Sequence, residues 1–392
     1  MANLIAPFAN AKPEEIALVD DFGETTWTDF NERVNQLVHA LRDKGLKTGD
    51  AFAVVSGNRR EYFEAFAAAA HGGWLLVPVN WHLVAKEVAY ILADSGSKAL
   101  LVDSRFVELA EATMLQPERP NLDVVVIMGT EADTFADETE QAVSYEAFLS
   151  EQATAEPEDQ LLGGPMFYTS GTTGHPKGVK SGLSQTGAPV DVLKMIGEGI
   201  SGMLGIASGG KSLLVGPVYH SAQWAFSFLP LLAGTSVVMR HKFDGEEVLR
   251  LIDQYQITNT HLVPTQFTRM LRLGDGIRKA FDGSSLGVVW HGAAPCPPQI
   301  KRRMIEWWGP VINEYYGSTE GSIVTTVSSE DWLSRPGTLG KPVAIMEILV
   351  IKEDGSHAEA GESGTLYVKN LMGSDFEYHN APEKTSDAHL EP

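Results

Sequence analysis

Cysteine is almost missing from this chain of 392 residues, where Cys296 stands alone. That excludes an intrachain disulfide framework and a cysteine-cluster metal site, and it fits a reducing, cytoplasmic setting. Basic residues are also in deficit: 30 Lys and Arg face 51 Asp and Glu, a formal net charge of −21. Nucleic-acid phosphates and anionic membrane surfaces would be repelled by such a field, so neither is an expected partner. Long apolar runs are lacking too. The most apolar later segment, Trp224 to Met239, is broken by Ser227, Pro230, Gly234 and Ser236 and reads as core, not as a membrane span. The start, Met1-Ala2-Asn3-Leu4-Ile5-Ala6-Pro7, has neither a basic region nor a sustained apolar stretch and is no signal peptide. No internal repeat recurs at a fixed period. What remains is a globular composition, 43% hydrophobic with a mean hydropathy of −0.08, on a chain long enough for more than one domain and a large core.

The first third alternates helix and strand patterns. Thr28 can cap a helix that keeps Phe30, Val34, Leu37, Val38 and Leu41 on one face and ends near Gly45. Strands are predicted at 51–55, 74–79 and 99–102, with helices at 61–70 and 84–93 between them, the traffic of βαβ units. The acidic stretches 131–140 and 151–160 read as surface connections. Strand patterns recur at 212–215, 235–238, 260–263 and 288–290, with helices at 246–254 and 299–308. From about Arg335 the pattern changes to short strands with Gly and Pro punctuation, at 347–351 and 364–368. The expected units are an α/β subdomain over 1–185, a second over 186–334 and a β-rich portion over 335–392.

The most informative segment is Thr169-Ser170-Gly171-Thr172-Thr173-Gly174-His175-Pro176-Lys177-Gly178. It follows the apolar run 166–168, so it starts at the end of a buried strand, where α/β sheets bind ligands. Its glycines let the backbone present N–H groups inward, its hydroxyls add donors, and Lys177 brings a point charge, which together suit a polyanion such as a phosphate chain. It is not a Walker loop, because Pro176 and Gly178 flank the lysine.

A second segment, Glu314-Tyr315-Tyr316-Gly317-Ser318-Thr319-Glu320-Gly321, offers an aromatic face for a purine, a hydroxyl donor and a carboxylate able to hold Mg²⁺. A third, His291-Gly292-Ala293-Ala294-Pro295, has small residues against which a flat ligand can lie on bare backbone. The fourth is Pro217-Val218-Tyr219-His220-Ser221-Ala222. Trp224, Phe228 and Trp290 read as core more readily than as the lining of an acyl pocket. The cluster Lys301-Arg302-Arg303 reads as a solvated helix face rather than a docking site for a phosphorylated cosubstrate.

Taken together, these four segments resemble the adenylate-forming superfamily, which includes acyl-CoA synthetases, 4-coumarate-type ligases, firefly luciferase and peptide-synthetase adenylation domains. The resemblance spans nearly the whole chain. It implies two stacked α/β subdomains, with sheets sandwiched by helices, plus a distorted β-barrel portion matched by Gly361-Glu362-Ser363-Gly364-Thr365-Leu366-Tyr367-Val368 and followed by Tyr378-His379-Asn380-Ala381-Pro382-Glu383-Lys384-Thr385. It implies ATP-dependent activation of a carboxylic acid to an acyl-adenylate, then transfer to coenzyme A. The nucleotide would be held by Thr169, Ser170, Gly171, Thr172, Thr173, Gly174 and Lys177, by Gly292, Ala293 and Ala294, and by Tyr315, Tyr316 and Gly317. Tyr316 would stack on adenine, Thr319 contact the α-phosphate, Glu320 ligate Mg²⁺, and His220 lie beside the reacting carboxylate. Amino-acid-activating relatives carry an Asp where His220 stands, so an amino-acid substrate is disfavoured. The family continues into a Thr-Gly-Asp motif, a hinge and a small domain with a catalytic Lys; none occurs before Pro392, and the expectation is the large domain of a longer enzyme. A carrier-protein or oxidase acceptor stays open, as do a non-catalytic nucleotide-binding module, the identity of the acid and a homodimer.

Overall fold

The computed structural model describes residues 4–129, 142–169 and 175–390. Its first sheet has six strands, all parallel, in the order Ala142–Ser144, Val124–Met128, Ser97–Asp103, Ala51–Val55, Leu75–Val79 and Gly164–Pro165. Ala51–Val55 and Leu75–Val79 are buried at every position, as parallel strands must be when helices cover both faces. Helices Arg60–Gly72 and Ala85–Ser95 supply that cover.

The second sheet has nine strands: Lys341–Pro342, Ser322–Val327, Ile312–Ser318, Val288–His291, Asn259–Leu262, Lys211–Leu214, Ser236–Met239, Ile16–Val19 and Glu24–Thr26. Its centre is parallel and both edges turn antiparallel. Sheet membership crosses the boundary expected at 185. Ile16–Val19 and Glu24–Thr26 join the second sheet, with Leu18 opposite Val237, because their buried faces complete its far edge. The largest apolar core lies between the sheets and takes Trp27, Phe30 and Phe66 from the first third together with Trp224, Phe228 and Val237.

The cap of helix Trp27–Asp43 is Thr26, two residues before the expected cap position. Thr26, in extended backbone, accepts a hydrogen bond from the Asp29 amide through its side chain, a conformation that Thr28 inside the first turn cannot adopt. The portion after 335 does not close on itself among the described residues. Met346–Ile351 and Thr365–Asn370 form a two-stranded hairpin, Lys341–Pro342 extends the nine-stranded sheet, and Glu377–Tyr378 joins a three-stranded sheet with Lys177–Lys180 and Phe167–Thr169. That small sheet is fastened to the first subdomain at Asp94. The Tyr168 hydroxyl donates to Asp94 Oδ2 at 2.7 Å, and Asn380 Nδ2 donates to the Asp94 carbonyl at 3.0 Å.

Candidate active site

Four neighbouring parallel strands of the second sheet end on one side, and the chain leaving them carries the functional candidates. Lys211–Leu214 leads to Gly216 and His220, Asn259–Leu262 to Val263, Val288–His291 to Gly292, and Ile312–Ser318 to Thr319. The carboxyl ends of parallel strands are where such sheets bind ligands. Here they open on a cleft of about 2370 Å³ reached by His220, Ala293, Tyr315, Thr319 and Glu320.

The Thr319-Glu320-Gly321 turn links the antiparallel strands Ile312–Ser318 and Ser322–Val327. Gly317 is needed beneath it, since a Cβ there would stand 2.0 Å from the Ser322 carbonyl oxygen. The Ser318 hydroxyl accepts from the Gly321 amide at 2.8 Å and closes the turn. Thr319 Oγ1 lies 2.9 Å from Ser221 Oγ, so the segments around His220 and Glu320, a hundred residues apart in sequence, meet directly. His220 caps helix Ser221–Ala225. Its side chain is exposed, but to the protein-walled mouth of the cleft, and that crowding together with neighbouring His82 holds its pKa below the usual imidazole value. It is therefore neutral at pH 7.

Glu320 is tied from the other side. The Tyr378 hydroxyl donates to Glu320 Oε1 at 3.2 Å, and Lys177 Nζ sits 4.7 Å from the centre of the Tyr378 ring. Burial and the carboxylate push the Tyr378 hydroxyl up to about 12, so it remains a donor. Strand Lys177–Lys180, in which Lys177 pairs with Thr169, thus sets its cation against the ring of the tyrosine that holds Glu320. Ser170, Gly171, Thr172, Thr173 and Gly174 lie outside the described residues.

The small-residue turn is built for close approach. A Cβ on Gly292 would meet the Tyr315 ring at 2.5 Å, and Ala293 adopts a left-handed φ of 62°, a conformation that costs a non-glycine residue energy and concentrates at functional sites. Ala293 and Ala294 are exposed. Strand alternation separates the two tyrosines. Tyr316 is 41% exposed, free to meet a ring from outside, whereas Tyr315 is buried and turned into the cleft.

Behind this turn lies a group that corrects the sequence reading. Lys301 is not a solvated residue but is wholly buried, donating to Glu314 Oε2 at 2.7 Å with Nζ 4.9 Å from the centre of the Trp332 ring. Only Arg302 and Arg303 of that cluster are exposed. The pair fixes helix Pro298–Trp308 on the strand that carries the Glu320 turn. His291 Nε2 is 3.6 Å from the same carboxylate, but burial and Lys301 depress its pKa to about 2, so it is neutral and no ion pair forms. Of the three aromatics weighed as core or acyl lining, Trp224 borders the cleft, while Phe228 and Trp290 are core; the Trp290 indole donates to the Leu204 carbonyl at 2.9 Å.

The model of the AMP-binding enzyme family matches residues 6–372. The chain belongs to the AMP-binding enzymes. Among its relatives in that family, the 3-oxocholest-4-en-26-oate--CoA ligase of Rhodococcus rhodochrous is 29% identical over 98% of this chain and 72% of its own length. The medium/long-chain-fatty-acid--CoA ligase FadD8 of Mycobacterium tuberculosis is 29% identical over 93% of this chain and 63% of its own length. The chain therefore spans about two-thirds of the length of these relatives. The crystal structure of the N-terminal domain of FACL13 from Mycobacterium tuberculosis superposes with a TM-score of 0.82 at 25% identity, covering 100% of this chain and 95% of that domain. Among the described residues no helix is long and apolar enough to cross a membrane.

The sequence singled out the Glu320 turn, the Gly292 turn and His220, and the fold brings the three segments together around one cleft. Sequence reasoning missed the Tyr378 contact to Glu320 and a polar chain, Gln223–His261–Tyr315, in the cleft wall. A lone Gln or His in an apolar run carries no local signal of its partner.

Proposed function

We propose that this protein is the large domain of an AMP-forming acyl-CoA ligase acting on a hydrophobic carboxylic acid. The observation that carries the reading is the joining of the Thr319–Glu320 turn, through Ser221, to a segment, 217–229, that contains no carboxylate at all. A buried substrate ammonium would need a carboxylate partner, because an unpaired buried charge costs several kcal/mol. Neutral His220 occupies the approach instead. The names of the relatives, all CoA ligases where quoted above, favour coenzyme A as acceptor.

In the first half-reaction a carboxylate oxygen of the acid attacks the α-phosphorus of ATP and pyrophosphate leaves. In the second, the coenzyme A thiol sulfur attacks the acyl carbonyl and AMP leaves. The chain contributes mainly position and charge. Thr319 donates toward the α-phosphate, Lys177 offsets phosphate charge, and Tyr316 with the Gly292-Ala293-Ala294 backbone flanks the adenine. Glu320 is a single carboxylate beside the phosphate side of the cleft. That donor set fits Mg²⁺, which takes one or two carboxylates and completes its shell with substrate phosphates and water; when bound, the ion would neutralise ATP charge. His220 is neutral and leaves the incoming carboxylate unopposed.

The test uses stable acyl-sulfamoyl-adenosine analogues of the adenylate, titrated against the protein by calorimetry. Hydrophobic acyl analogues should bind competitively with AMP and at least about tenfold tighter than aminoacyl analogues, the margin of one uncompensated polar burial. An aminoacyl analogue that binds more tightly than every hydrophobic one would overturn the reading.

A further inference from the structure

The part of the cleft wall furnished by Trp224, Phe226 and Leu229 contains a buried polar chain. Gln223 Nε2 lies 2.8 Å from His261 Nδ1, and His261 Nε2 lies 3.1 Å from the Tyr315 hydroxyl. All three side chains border the cleft, and their exposures are 4%, 2% and 7%. They come from three separate elements: helix Ser221–Ala225, strand Asn259–Leu262 and strand Ile312–Ser318. The His261 ring stacks on Phe226 with centroids 4.7 Å apart, which fixes its plane. Gln223 rests on bare backbone: a Cβ on Gly216 would stand 2.4 Å from its Nε2. Burial lowers the His261 pKa to about 3, so the ring is neutral and one nitrogen donates while the other accepts.

Among the described residues nothing completes this chain. Gln223 Oε1 has no hydrogen-bond partner, and the Tyr315 hydroxyl can form one bond beyond the one to His261. With Gln223 donating to Nδ1, His261 donates to Tyr315; the Tyr315 proton then points onward and Gln223 Oε1 waits as an acceptor. With the amide flipped and the tautomer reversed, Gln223 Nε2 becomes the free donor and Tyr315 the free acceptor. Either way the two ends offer one donor and one acceptor. Buried polar groups left in that state cost about 1–3 kcal/mol each, so a chain of three in an apolar wall calls for a polar partner.

We infer that Gln223, His261 and Tyr315 recognise an oxygen function, a hydroxyl or a keto group, carried on the hydrophobic part of the acid, so that the substrate is an oxygenated acid and not a plain hydrocarbon one. This deepens the ligase reading and rests on it. A site that hydrogen-bonds such a group discriminates against the analogue lacking it, because the polar atoms are then left unpaired.

The probes are acyl-sulfamoyl adenosines with a saturated chain, or with the same chain carrying a hydroxyl or a keto group at each carbon in turn. The wild-type protein should bind at least one oxygenated analogue about tenfold tighter than the plain one, the gain of one well-made neutral hydrogen bond. A hydroxyl preference and a keto preference are separate arms of the titration, and either supports the inference. In His261→Phe and Gln223→Leu, which keep bulk and stacking, the ratio of oxygenated to plain affinity should fall to within about twofold. Should either variant unfold, Tyr315→Phe removes one hydroxyl and should lower the same ratio. Plain-chain binding with no oxygenated analogue preferred overturns this inference alone, as does a preference that survives in the variants. Failure of every analogue to bind overturns the ligase reading with it.

Discussion

At the scale of single residues, the ligase reading asks opposite things of a carboxylate, Glu320, and a neutral imidazole, His220. On that reading Glu320 serves as a carboxylate ligand, and the hydroxyl of Tyr378 donates to it. Glu320→Gln keeps an oxygen for that hydroxyl, so the turn should persist. The amide is a poor ligand for a hard cation, however. ATP affinity measured with and without Mg²⁺ should therefore show the wild type gaining on the order of tenfold from the metal and the variant gaining little. A Mg²⁺ dependence equal to that of the wild type would reduce Glu320 to a turn residue. On the same reading the position of His220 must carry no negative charge. His220→Asp places a second carboxylate beside the incoming one, and repulsion at a few ångströms through partly solvated protein is worth more than about 1 kcal/mol. Binding of the free acid should weaken by at least about fivefold, read by equilibrium dialysis, and recover as the pH is lowered through the range of the new carboxylate.

Elements rather than residues decide whether these groups meet. The strand Ile312–Ser318 carries the Glu320 turn at one end and Glu314 in its middle, and buried Lys301 fastens that middle to helix Pro298–Trp308. Burial lowers the Lys301 pKa and Glu314 opposes that shift, so the ammonium is retained by its partner. Lys301→Met would leave Glu314 buried and unpaired and should destabilise the protein by about 3–5 kcal/mol. Combining it with Glu314→Leu removes the orphan charge and should restore a large part of that loss. Urea unfolding of the two variants checks the order; a double variant less stable than the single one by the full additive amount would refute it. Such pairs escape a reading of the chain alone. Lys301 looks like part of a basic surface cluster, and its acidic partner lies 13 residues away on a different element. Strands such as Ala51–Val55 were legible because both faces are buried and the run is continuously apolar. Ile16–Val19 was not, since four residues give no period and their partner strand lies some 220 residues on, where the Ser236 hydroxyl donates to the Ile16 carbonyl. The residues of the site were legible wherever backbone geometry demanded glycine beside a polar group, as at Gly317 and Gly292. The polar chain through His261 was invisible because its members meet only in three dimensions.

For the whole molecule, a net charge of −21 and a set of buried histidines respond to acid in opposite directions. Protonating surface carboxylates relieves self-repulsion and favours the compact state. The histidines oppose this. His71, His261 and His291 are buried, and burial holds their pKa values at about 4, 3 and 2, against about 6.5 in the unfolded chain. Their folded values are depressed, so the unfolded state binds protons first. Stability is therefore full above about pH 6.5, declines as the pH falls below it, and goes on declining until each folded value is reached. At about pH 5.5 each histidine has removed about 1.4 kcal/mol, and the three together about 4 kcal/mol, a large share of the 5–15 kcal/mol typical of a folded domain. Most carboxylates offset little of this, since they titrate nearer 4, and buried Asp103, held low by Arg105 and Arg59 despite its desolvation, titrates lower still; buried Glu64, whose pKa desolvation raises, opposes the loss in part. Urea midpoints should accordingly drop steeply from pH 7.5 to 5.5. His71→Asn, whose site lies on helix Arg60–Gly72 away from the cleft, should remove about a third of that slope while leaving AMP binding in place. A protein equally stable at both pH values, or a His71→Asn variant with the full wild-type slope, would show that surface charge and not the buried imidazoles governs its response to acid.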